Sequence, residues 1–285
     1  MDTETGKLYI CATPIGNLGD MTARVVETLR EVDLIAAEDT RNSLRLLNHF
    51  EIKTPMTSYH EHNKYEKAEE LIGLLLSGKK IAVVTDAGTP CISDPGEVLV
   101  KRCIEEGIPV TSLPGASAVI TALTLSGLPA RHFYFQGFLP SRKQKREREE
   151  DLSRIAGETA TIVLYEAPHH LLETLTDLKE AVGEGREIVL CRELTKIHEE
   201  VIRTTVGEAL TLTPRGEYVL VLSGKSREQI TEEKEKAFSE MSLEEHLQLY
   251  LDKGMEKKEA MKAVAKDRGL SKRDIYNALL QKGIL

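Results

Sequence analysis

Short apolar runs alternate with amphipathic helical patterns along the first part of this chain, and this alternation narrows the fold more than any other feature. Leu8–Ala12 and Asp33–Glu38 have strand character, and Thr22–Glu31 and Asn42–Phe50, which follow them, have helical spacing. The run Lys80–Asp86 (KIAVVTD) is apolar and β-branched, as expected of a strand buried on both faces. Strand–helix–strand units join parallel strands. The pattern therefore predicts an α/β fold with a parallel sheet.

A change of composition predicts where the first domain ends. The α/β pattern continues through a strand at Pro109–Leu113 and a helix at Ser117–Leu125, with Ser117 in the capping position. The segment Pro140–Glu150 then has no apolar residue and is rich in arginine and lysine. We therefore place a first domain at residues 1–138 and a boundary just before the basic segment.

The remainder of the chain has two further patterns. Residues 139–226 contain four runs with strand character, and the later ones have no helix between them, which predicts a second, mixed sheet. Residues 227–285 have the pattern of charged helices, acidic at first and lysine-rich from Met255 onward. The phrase Gly269-Leu270-Ser271 between two helical patterns is typical of a helix-turn-helix unit. We expect two α/β domains and a small helical extension.

Charge and cysteine usage exclude several classes of protein. The 285 residues carry 38 lysines and arginines against 46 aspartates and glutamates, a formal net charge of −8, which argues against unselective coating of nucleic acid. The four cysteines lack disulfide or metal spacing, so we expect reduced thiols. No apolar run is long enough to span a bilayer, and Met1–Lys7 is too polar for a signal peptide. We expect a cytoplasmic protein with no membrane anchor.

Three loops that follow predicted strands are rich in glycine and proline. They are Thr13–Asp20 (TPIGNLGD), Asp86–Gly96 (DAGTPCISDPG) and Leu113–Ala118 (LPGASA). Ligands of open α/β sheets bind beyond the carboxyl ends of the strands, where such loops let the backbone approach a ligand closely. Each loop alone is also explained as an ordinary turn, and the first lacks the G-x-G-x-x-G pattern. Together they predict one crevice for a bulky ligand with adenosine and amino-acid parts.

Polar clusters at other strand ends add candidate site residues. Glu38, Asp39 and Arg41 follow the second predicted strand, where a helix N-cap with a surface ion pair is the structural alternative. Tyr165 and Glu166 end the first strand of the second domain. Their side chains are predicted to face the crevice from its other side, with a helix start as the alternative.

Two histidines are the nearest approach to a metal motif. His60 and His62 lie two residues apart on a predicted loop, with no third ligand at metal spacing. Tetrahedral sites need at least three protein ligands. We therefore expect no metal site here.

Eight motifs, taken in chain order, resemble one known family. They are TPIGNLGDMT (Thr13–Thr22), AEDTR (Ala37–Arg41), SYHEHN (Ser58–Asn63), DAGTPCISDPG (Asp86–Gly96), LPGASA (Leu113–Ala118), GFLP (Gly137–Pro140), YEAPHH (Tyr165–His170) and CRELTK (Cys191–Lys196). Together they look like the ribosomal RNA small subunit methyltransferase I family, which has the tetrapyrrole methylase fold. The resemblance covers nearly the whole chain, including a carboxyl-terminal helix-turn-helix pattern found in some members.

The resemblance implies an S-adenosylmethionine-dependent enzyme that methylates the ribose 2′-hydroxyl of a cytidine in the decoding region of 16S ribosomal RNA. It also implies a homodimer, no metal, and a cofactor cleft between two α/β domains. The partner is 16S rRNA, either within the small ribosomal subunit or as naked RNA, and the sequence does not choose between these two. The residues it assigns to the cofactor are Ile15, Gly16, Asp86, Ala87, Gly88, Thr89, Ile92, Ser93, Ser117, Ala118, Tyr165, Glu166, Leu194, Glu217 and Tyr218. Gly88-Thr89-Pro90 stands where many corrin-modifying relatives have Gly-Asp-Pro, so no contact through that aspartate is carried over.

Methyl transfer to a ribose hydroxyl is helped by a base that accepts its proton. The candidates are Glu38, Asp39, His60 and Glu166, and the sequence does not choose among them.

Basic residues are the candidates for binding RNA phosphates. They are Arg41, Arg142, Lys143, Lys145, Arg146 and the carboxyl-terminal lysines, and a solvated helix face is the alternative for the cluster Arg142–Arg148. Two other functions stay open. One is a methylase of a corrin or porphyrin precursor, which needs no basic patch, and the other is a non-catalytic module that binds nucleic acid or the ribosome.

Overall fold

The computed structural model contains two five-stranded sheets. It describes residues 6–281, and at Glu233 and Ser239 it describes the backbone alone. The chain divides into two units, Met1–Ser223 and Gly224–Leu285. The first sheet contains β1 (Lys7–Cys11), β2 (Leu34–Ala37), β3 (Met56–Ser58), β4 (Lys80–Val84) and β5 (Val110–Leu113). The second contains β6 (Phe133–Gly137), β7 (Thr161–Glu166), β8 (Glu187–Arg192), β9 (Glu200–Thr205) and β10 (Tyr218–Leu222).

Helices cover both sheets of the first unit. They are α1 (Ala23–Glu31), α2 (Thr40–His49), α3 (Lys64–Leu76), α4 (Gly96–Glu105), α5 (Ala118–Ser126), α6 (Lys145–Gly157), α7 (Leu171–Val182) and α8 (Val206–Ala209), with a 3-10 helix at Leu18–Asp20.

The first sheet confirms the predicted parallel arrangement. Its strand order is β3-β2-β4-β1-β5, and every neighbouring pair is parallel. Ile81 and Val83 of β4 belong to the core cluster that contains α3 and α4, whereas Ala82 and Val84 belong to the cluster that contains α1 and α2. Burial on both faces explains the continuous apolar run. The strand order also puts the carboxyl ends of β4, β1 and β5 side by side.

The second sheet is mixed, as predicted, but it begins before the predicted boundary. Its order is β6-β7-β10-β8-β9; β6 is parallel to β7, and the other neighbours are antiparallel. β6 precedes residue 138 yet pairs in this sheet. Helix α5 also packs on this sheet, through Val119 and Leu123 against Val163 and Val219. The predicted boundary between residues 138 and 139 was placed where the charge of the sequence changes. Which strands join a sheet depends instead on burial and on pairing between residues far apart in the chain.

The second unit is helical, as the sequence predicts for residues 227 onward. Its helices are α9 (Arg227–Glu240), α10 (Leu243–Leu251), α11 (Lys257–Asp267) and α12 (Lys272–Gln281). They share a small core that includes Leu247, Val264, Ile275 and Leu279. The turn between α11 and α12 contains Gly269, with φ +61°, at the predicted position. Residues 1–5 and 282–285 of the predicted domains lie outside the described residues.

Candidate active site

A cavity of about 340 Å³ lies within the first unit, beyond the carboxyl ends of β1, β4 and β5 and against strands of the second sheet. Its volume falls in the range of roughly 300–1,000 Å³ that is usual for small-molecule sites. Of the fifteen residues predicted to bind a cofactor, fourteen line it, and the exception is Gly16. The prediction that the three glycine- and proline-rich loops converge on one crevice is therefore confirmed.

The first two loops are joined through their backbones. Thr13 and Gly88 exchange N–H···O bonds of 2.9 and 3.1 Å, and the Thr13 hydroxyl donates to the Thr85 carbonyl at 3.1 Å. Gly88 has φ +83°, a conformation that favours glycine. A Cβ at Gly16 would lie 2.5 Å from Lys196 Cγ and 3.0 Å from the Leu194 carbonyl oxygen. Gly16 thus allows close packing against the turn after β8 without lining the cavity.

The second loop is held in an unusual backbone conformation. Cys91 and Ser93 have φ values of +72° and +64°, which side chains with a Cβ rarely adopt. The Asp94 carboxylate accepts hydrogen bonds from the Ile92 and Gly96 N–H groups at 3.2 and 2.8 Å and so ties the loop together. Burial raises the pKa of Asp94, although those N–H groups oppose the shift. Strain of this kind is common where a loop is shaped for a ligand.

The third loop places Ser117 at the N-cap position of α5, as predicted, but the Ser117 side chain makes no capping hydrogen bond. Ser117 lines the cavity instead. The Thr89 hydroxyl donates to the Ala116 carbonyl at 3.0 Å and joins this loop to the second one. Position in sequence identified the N-cap, but only the tertiary structure shows that the side chain borders the cavity.

Two of the four predicted proton acceptors line the cavity, namely Glu38 and Glu166. Asp39 does not: its carboxylate accepts from the Arg41 N–H at 2.8 Å and forms an ion pair with the Arg41 guanidinium. These bonds lower the pKa of Asp39 to about 2. The N-cap alternative therefore describes Asp39 correctly. His60 also lies outside the cavity lining, and its Nδ1 is buried with no hydrogen-bond partner.

Glu38 is held at the cavity by one of its two carboxylate oxygens. The Thr85 hydroxyl donates to Glu38 Oε2 at 2.5 Å, and the Asp86 N–H lies 3.5 Å from the same atom. Glu38 Oε1 has no hydrogen-bond partner among residues 6–281. Burial raises the pKa of Asp86; a hydrogen bond from Asn42 opposes this, and the charge of Glu38 adds to it. This side of the cavity is therefore acidic, which suits a cationic group or a departing proton.

Another part of the cavity lining is aromatic and apolar. Tyr165 packs against Phe138 and Phe135, with ring centroids 5.4 and 5.1 Å away. Burial raises the pKa of Tyr165, so its phenol stays protonated at neutral pH. Ile15 and Leu194 add aliphatic surface. Such a wall suits the flat ring of a nucleoside.

Sequence reasoning missed several residues of the cavity. The lining also includes Thr85, Asp94, Phe138, Ala167, Cys191, Glu193, Lys196 and Val219. Lys196 donates to Glu193 Oε1 at 3.0 Å and to Glu217 Oε2 at 2.8 Å, and so joins the turn after β8 to the start of β10. Phe138, Glu193 and Lys196 lie in the GFLP and CRELTK motifs quoted above, so the motifs could have identified them as residues of the site.

The basic cluster Arg142–Arg148 is largely paired within the protein. Arg148 is 6% exposed and bonds Asp177, the Thr174 hydroxyl and the Pro140 carbonyl, so its inclusion in an RNA-binding cluster is wrong. Arg142 pairs with Glu173 and Asp177, and Lys145 and Arg146 pair with glutamates one helical turn further along. Lys143 is exposed. The alternative of a solvated helix face describes α6 better than a free cationic patch.

Metal-binding clusters, membrane-spanning helices and disulfides are absent from residues 6–281. No group of three or more histidine, cysteine, aspartate or glutamate side chains there is placed to hold a metal ion. No helix in the same range has the length and apolar character needed to cross a bilayer. All four cysteines are free thiols, as predicted.

Comparisons with known proteins identify the family of this chain. The sequence profile of the tetrapyrrole (corrin/porphyrin) methylases matches residues 7–210. A ribosomal RNA small subunit methyltransferase I of Synechocystis sp. is 48% identical over 97% of this chain and 98% of its own length. The protein of the same name from Halalkalibacterium halodurans is 47% identical over 98% of this chain and 96% of its own length. The one from Thermotoga maritima is 48% identical over 77% of this chain and 99% of its own.

Solved structures support the fold. Uroporphyrin-III-C-methyltransferase from Thermus thermophilus superposes with a TM-score of 0.54 at 19% identity over 76% of this chain and 94% of its own. A diphthine synthase superposes with a TM-score of 0.61 at 15% identity over 78% of this chain and 91% of its own. The profile and the full-length relatives agree with the family that the motifs resemble. The chain therefore belongs to the tetrapyrrole methylases and, within them, to the ribosomal RNA small subunit methyltransferase I family.

Proposed function

We propose that the chain is an S-adenosylmethionine-dependent methyltransferase that acts on the ribose 2′-hydroxyl of a cytidine in the decoding region of 16S rRNA. The observation that carries the proposal is the single cavity in which three loops from adjacent strands meet the second sheet. The relatives of similar length are named as small-subunit rRNA methyltransferases. We further propose that the protein works as a homodimer in the cytoplasm, on rRNA within the small ribosomal subunit.

The groups around the cavity fit S-adenosylmethionine. The apolar side, with Ile15, Leu194 and Tyr165, suits the adenine ring, and the carboxylates suit the ribose hydroxyls and the positive charges. The loop that contains Ile92 and Ser93 suits the amino-acid part. When bound, the cofactor supplies a methyl group on a cationic sulfur. Most of the protein's work is then to align the acceptor hydroxyl with it.

Glu38 is the side chain that we assign as proton acceptor. Thr85 fixes one carboxylate oxygen, and the other has no partner in the described part of the chain. The proton of the ribose hydroxyl passes to Glu38 as the new carbon–oxygen bond forms and the carbon–sulfur bond breaks.

Glu166 is assigned to cofactor binding. It is 7% exposed, and its Oε1 accepts the Ala167 N–H at 2.8 Å. A buried carboxylate in the cavity wall is suited to holding a ligand hydroxyl or ammonium group.

The second candidate function is methylation of a corrin or porphyrin precursor. Structures with that activity share the fold at 17–19% identity, which supports the architecture alone. The higher identity to small-subunit rRNA methyltransferases favours RNA.

The decisive experiment maps 2′-O-methylation on 16S rRNA from cells with and without this protein. We expect one decoding-region cytidine to lose its methyl group in the deletion strain, and purified protein with labelled S-adenosylmethionine to restore it on 30S subunits. Tetrapyrrole methylation, or cofactor binding without transfer to any ribosomal particle, would contradict the proposal.

We expect Ala118→Phe to weaken S-adenosylmethionine binding at least tenfold. Ala118 lines the cavity at the start of α5, so a phenyl group there competes with the ligand for a limited volume. Isothermal calorimetry measures the affinity. The control is Ala130→Phe, the same change at an exposed position outside the cavity lining, which leaves the affinity unchanged. Equal affinity in both variants would place the cofactor elsewhere.

A further inference from the structure

We propose that the second unit carries an RNA-contacting surface on α11 and α12, in which lysines bind the sugar–phosphate backbone and an exposed tyrosine stacks on an unpaired base. The inference rests on the proposed function, because it concerns how that enzyme holds its RNA. The unit lies outside the residues 7–210 that the family profile matches. We call this surface the basic face; it consists of Lys258, Lys262, Lys266, Lys272, Arg273 and Tyr276.

The lysines of α11 form one exposed stripe. Lys258, Lys262 and Lys266 are spaced four residues apart, so they lie on the same side of the helix, and all three are exposed. The buried residues of α11, which include Ala260 and Val264, lie on the other side and pack into the core of the unit. The stripe is therefore directed to solvent by the packing of its own helix.

Helix α12 continues the same chemistry. Lys272 and Tyr276 are one helical turn apart and exposed, and Arg273 follows Lys272. Tyr276 is 46% exposed, although nothing in the core requires an aromatic ring there. The buried side of α12 is formed by Ile275 and Leu279. An aromatic ring among cations is the pattern with which proteins bind single-stranded nucleic acid.

The turn between α11 and α12 fixes the exposed cations of the two helices relative to each other. The Leu270 N–H donates to the Ala265 carbonyl at 2.9 Å, which closes the end of α11. At the start of α12, Ser271 and Asp274 exchange side-chain-to-backbone bonds of 3.2 Å in each direction. The cations therefore sit on a rigid support, so less conformational entropy is lost on binding.

The charges of the basic face are available to a ligand. Within residues 6–281, Lys258, Lys262, Lys266, Lys272 and Arg273 have no ion pair or hydrogen bond from their side chains. Arg268, by contrast, is used inside the unit, where it bonds His246 Nδ1 at 3.0 Å and the Met241 carbonyl. Like charges four residues apart destabilise a helix. An anionic partner would remove that cost, and an RNA backbone supplies regularly spaced negative charge.

The proposal is tested with the full-length protein and a fluorescent RNA that contains the 16S decoding region. The variant Lys262→Glu/Lys266→Glu/Lys272→Glu is expected to bind at least tenfold more weakly. Its slope of log affinity against log salt is expected to fall by about two, because each lost phosphate contact contributes about 0.7–0.9. The control Lys53→Glu/Lys101→Glu/Arg131→Glu changes net charge equally at exposed positions of the first unit and should bind normally.

A second pair of variants tests the stacking contact. Tyr276→Ala is expected to reduce RNA affinity about tenfold without changing the salt slope, because a stacked base carries no charge. Tyr276→Phe keeps the ring and should bind normally. For both sets, calorimetry should show unchanged affinity for S-adenosylmethionine, and methyl transfer to 30S subunits should show a raised KM with unchanged kcat.

Each outcome is decisive. If the wild type methylates 30S subunits and both the triple variant and Tyr276→Ala behave like it, the basic face does not bind RNA, although the proposed function stands. If the control binds as weakly as the triple variant, only net charge matters and the inference fails. If the triple variant loses binding to polyglutamate but not to RNA, the partner is an acidic protein, and the inference fails. If circular dichroism shows that the triple variant is unfolded, the variant Lys262→Gln/Lys266→Gln/Lys272→Gln replaces it, and the same outcomes decide the inference.

Discussion

Replacement of Glu38 by glutamine is expected to lower the rate of methyl transfer by about 10²–10⁴-fold, the usual contribution of a general base. Glutamine keeps the size of the side chain and can still accept the hydrogen bond from Thr85, but it cannot take up the proton. Affinity for S-adenosylmethionine should therefore stay nearly unchanged. Single-turnover transfer of a labelled methyl group to 30S subunits measures the rate, and calorimetry measures the affinity.

Two further variants separate this role from its alternatives. Glu166→Gln should weaken cofactor binding more than it slows transfer, because Glu166 is buried in the cavity wall. Asp39→Asn removes a neighbouring carboxylate that lies outside the cavity lining, so transfer should continue at close to the wild-type rate. Full activity of Glu38→Gln would show that another group, or water, accepts the proton.

Replacement of Arg148 by alanine is expected to lower the free energy of unfolding by about 3 kcal/mol, the lower end of what breaking a buried ion pair costs. The Arg148 side chain is 7% exposed and lies 2.7 Å from the Asp177 carboxylate. Asp177 would keep its pair with Arg142, which limits the loss. The Pro140 carbonyl and the Thr174 hydroxyl would lose their partner. Urea unfolding followed by circular dichroism measures the difference.

The control for Arg148 is its neighbour on the same helix. Arg146 is 92% exposed and pairs with Glu150 one turn away, so Arg146→Ala should cost less than about 0.5 kcal/mol. A similar loss in both variants would mean that helix propensity, not the buried pair, is being measured.

The pH dependence of the same pair has a definite sign. Burial by itself raises the pKa of Asp177, but the hydrogen bonds from Arg142 and Arg148 outweigh it, and the net shift is downward. The contribution is therefore fully present above the ordinary aspartate pKa of about 3.9 and is lost as the pH falls through the folded-state value. The difference between wild type and Arg148→Ala should shrink on acidification.

The element types and the position of the cavity could be predicted because both depend on local pattern. A strand buried on both faces must be apolar throughout, as Lys80–Asp86 is, and the loops after parallel strands necessarily lie at one edge of the sheet. The glycines and prolines of those loops marked the crevice. Motif resemblance then named fourteen of the residues that line it.

The packing partners of the elements could not be predicted in the same way. Nothing local in α5 or β6 tells which sheet they join, and the structure puts both on the second sheet. The charge pattern of Arg142–Arg148 predicted a cationic patch. In the structure, carboxylates of α7 pair with Arg142 and with Arg148, and Arg148 is buried. Nor did the sequence distinguish Glu38, which lines the cavity, from Asp39, which caps a helix.

The sequence by itself therefore determined the kinds of elements, the parallel first sheet and the edge at which a ligand binds, because periodicity and turn chemistry act between residues close together in the chain. Only the tertiary structure decided which helix covers which sheet, which cations are paired and which carboxylate faces the cavity. Those choices depend on contacts between residues far apart in sequence, such as Arg148 with Asp177 and Glu38 with Thr85. Burial and ion pairing across that separation are set by the assembled fold, which no local pattern encodes.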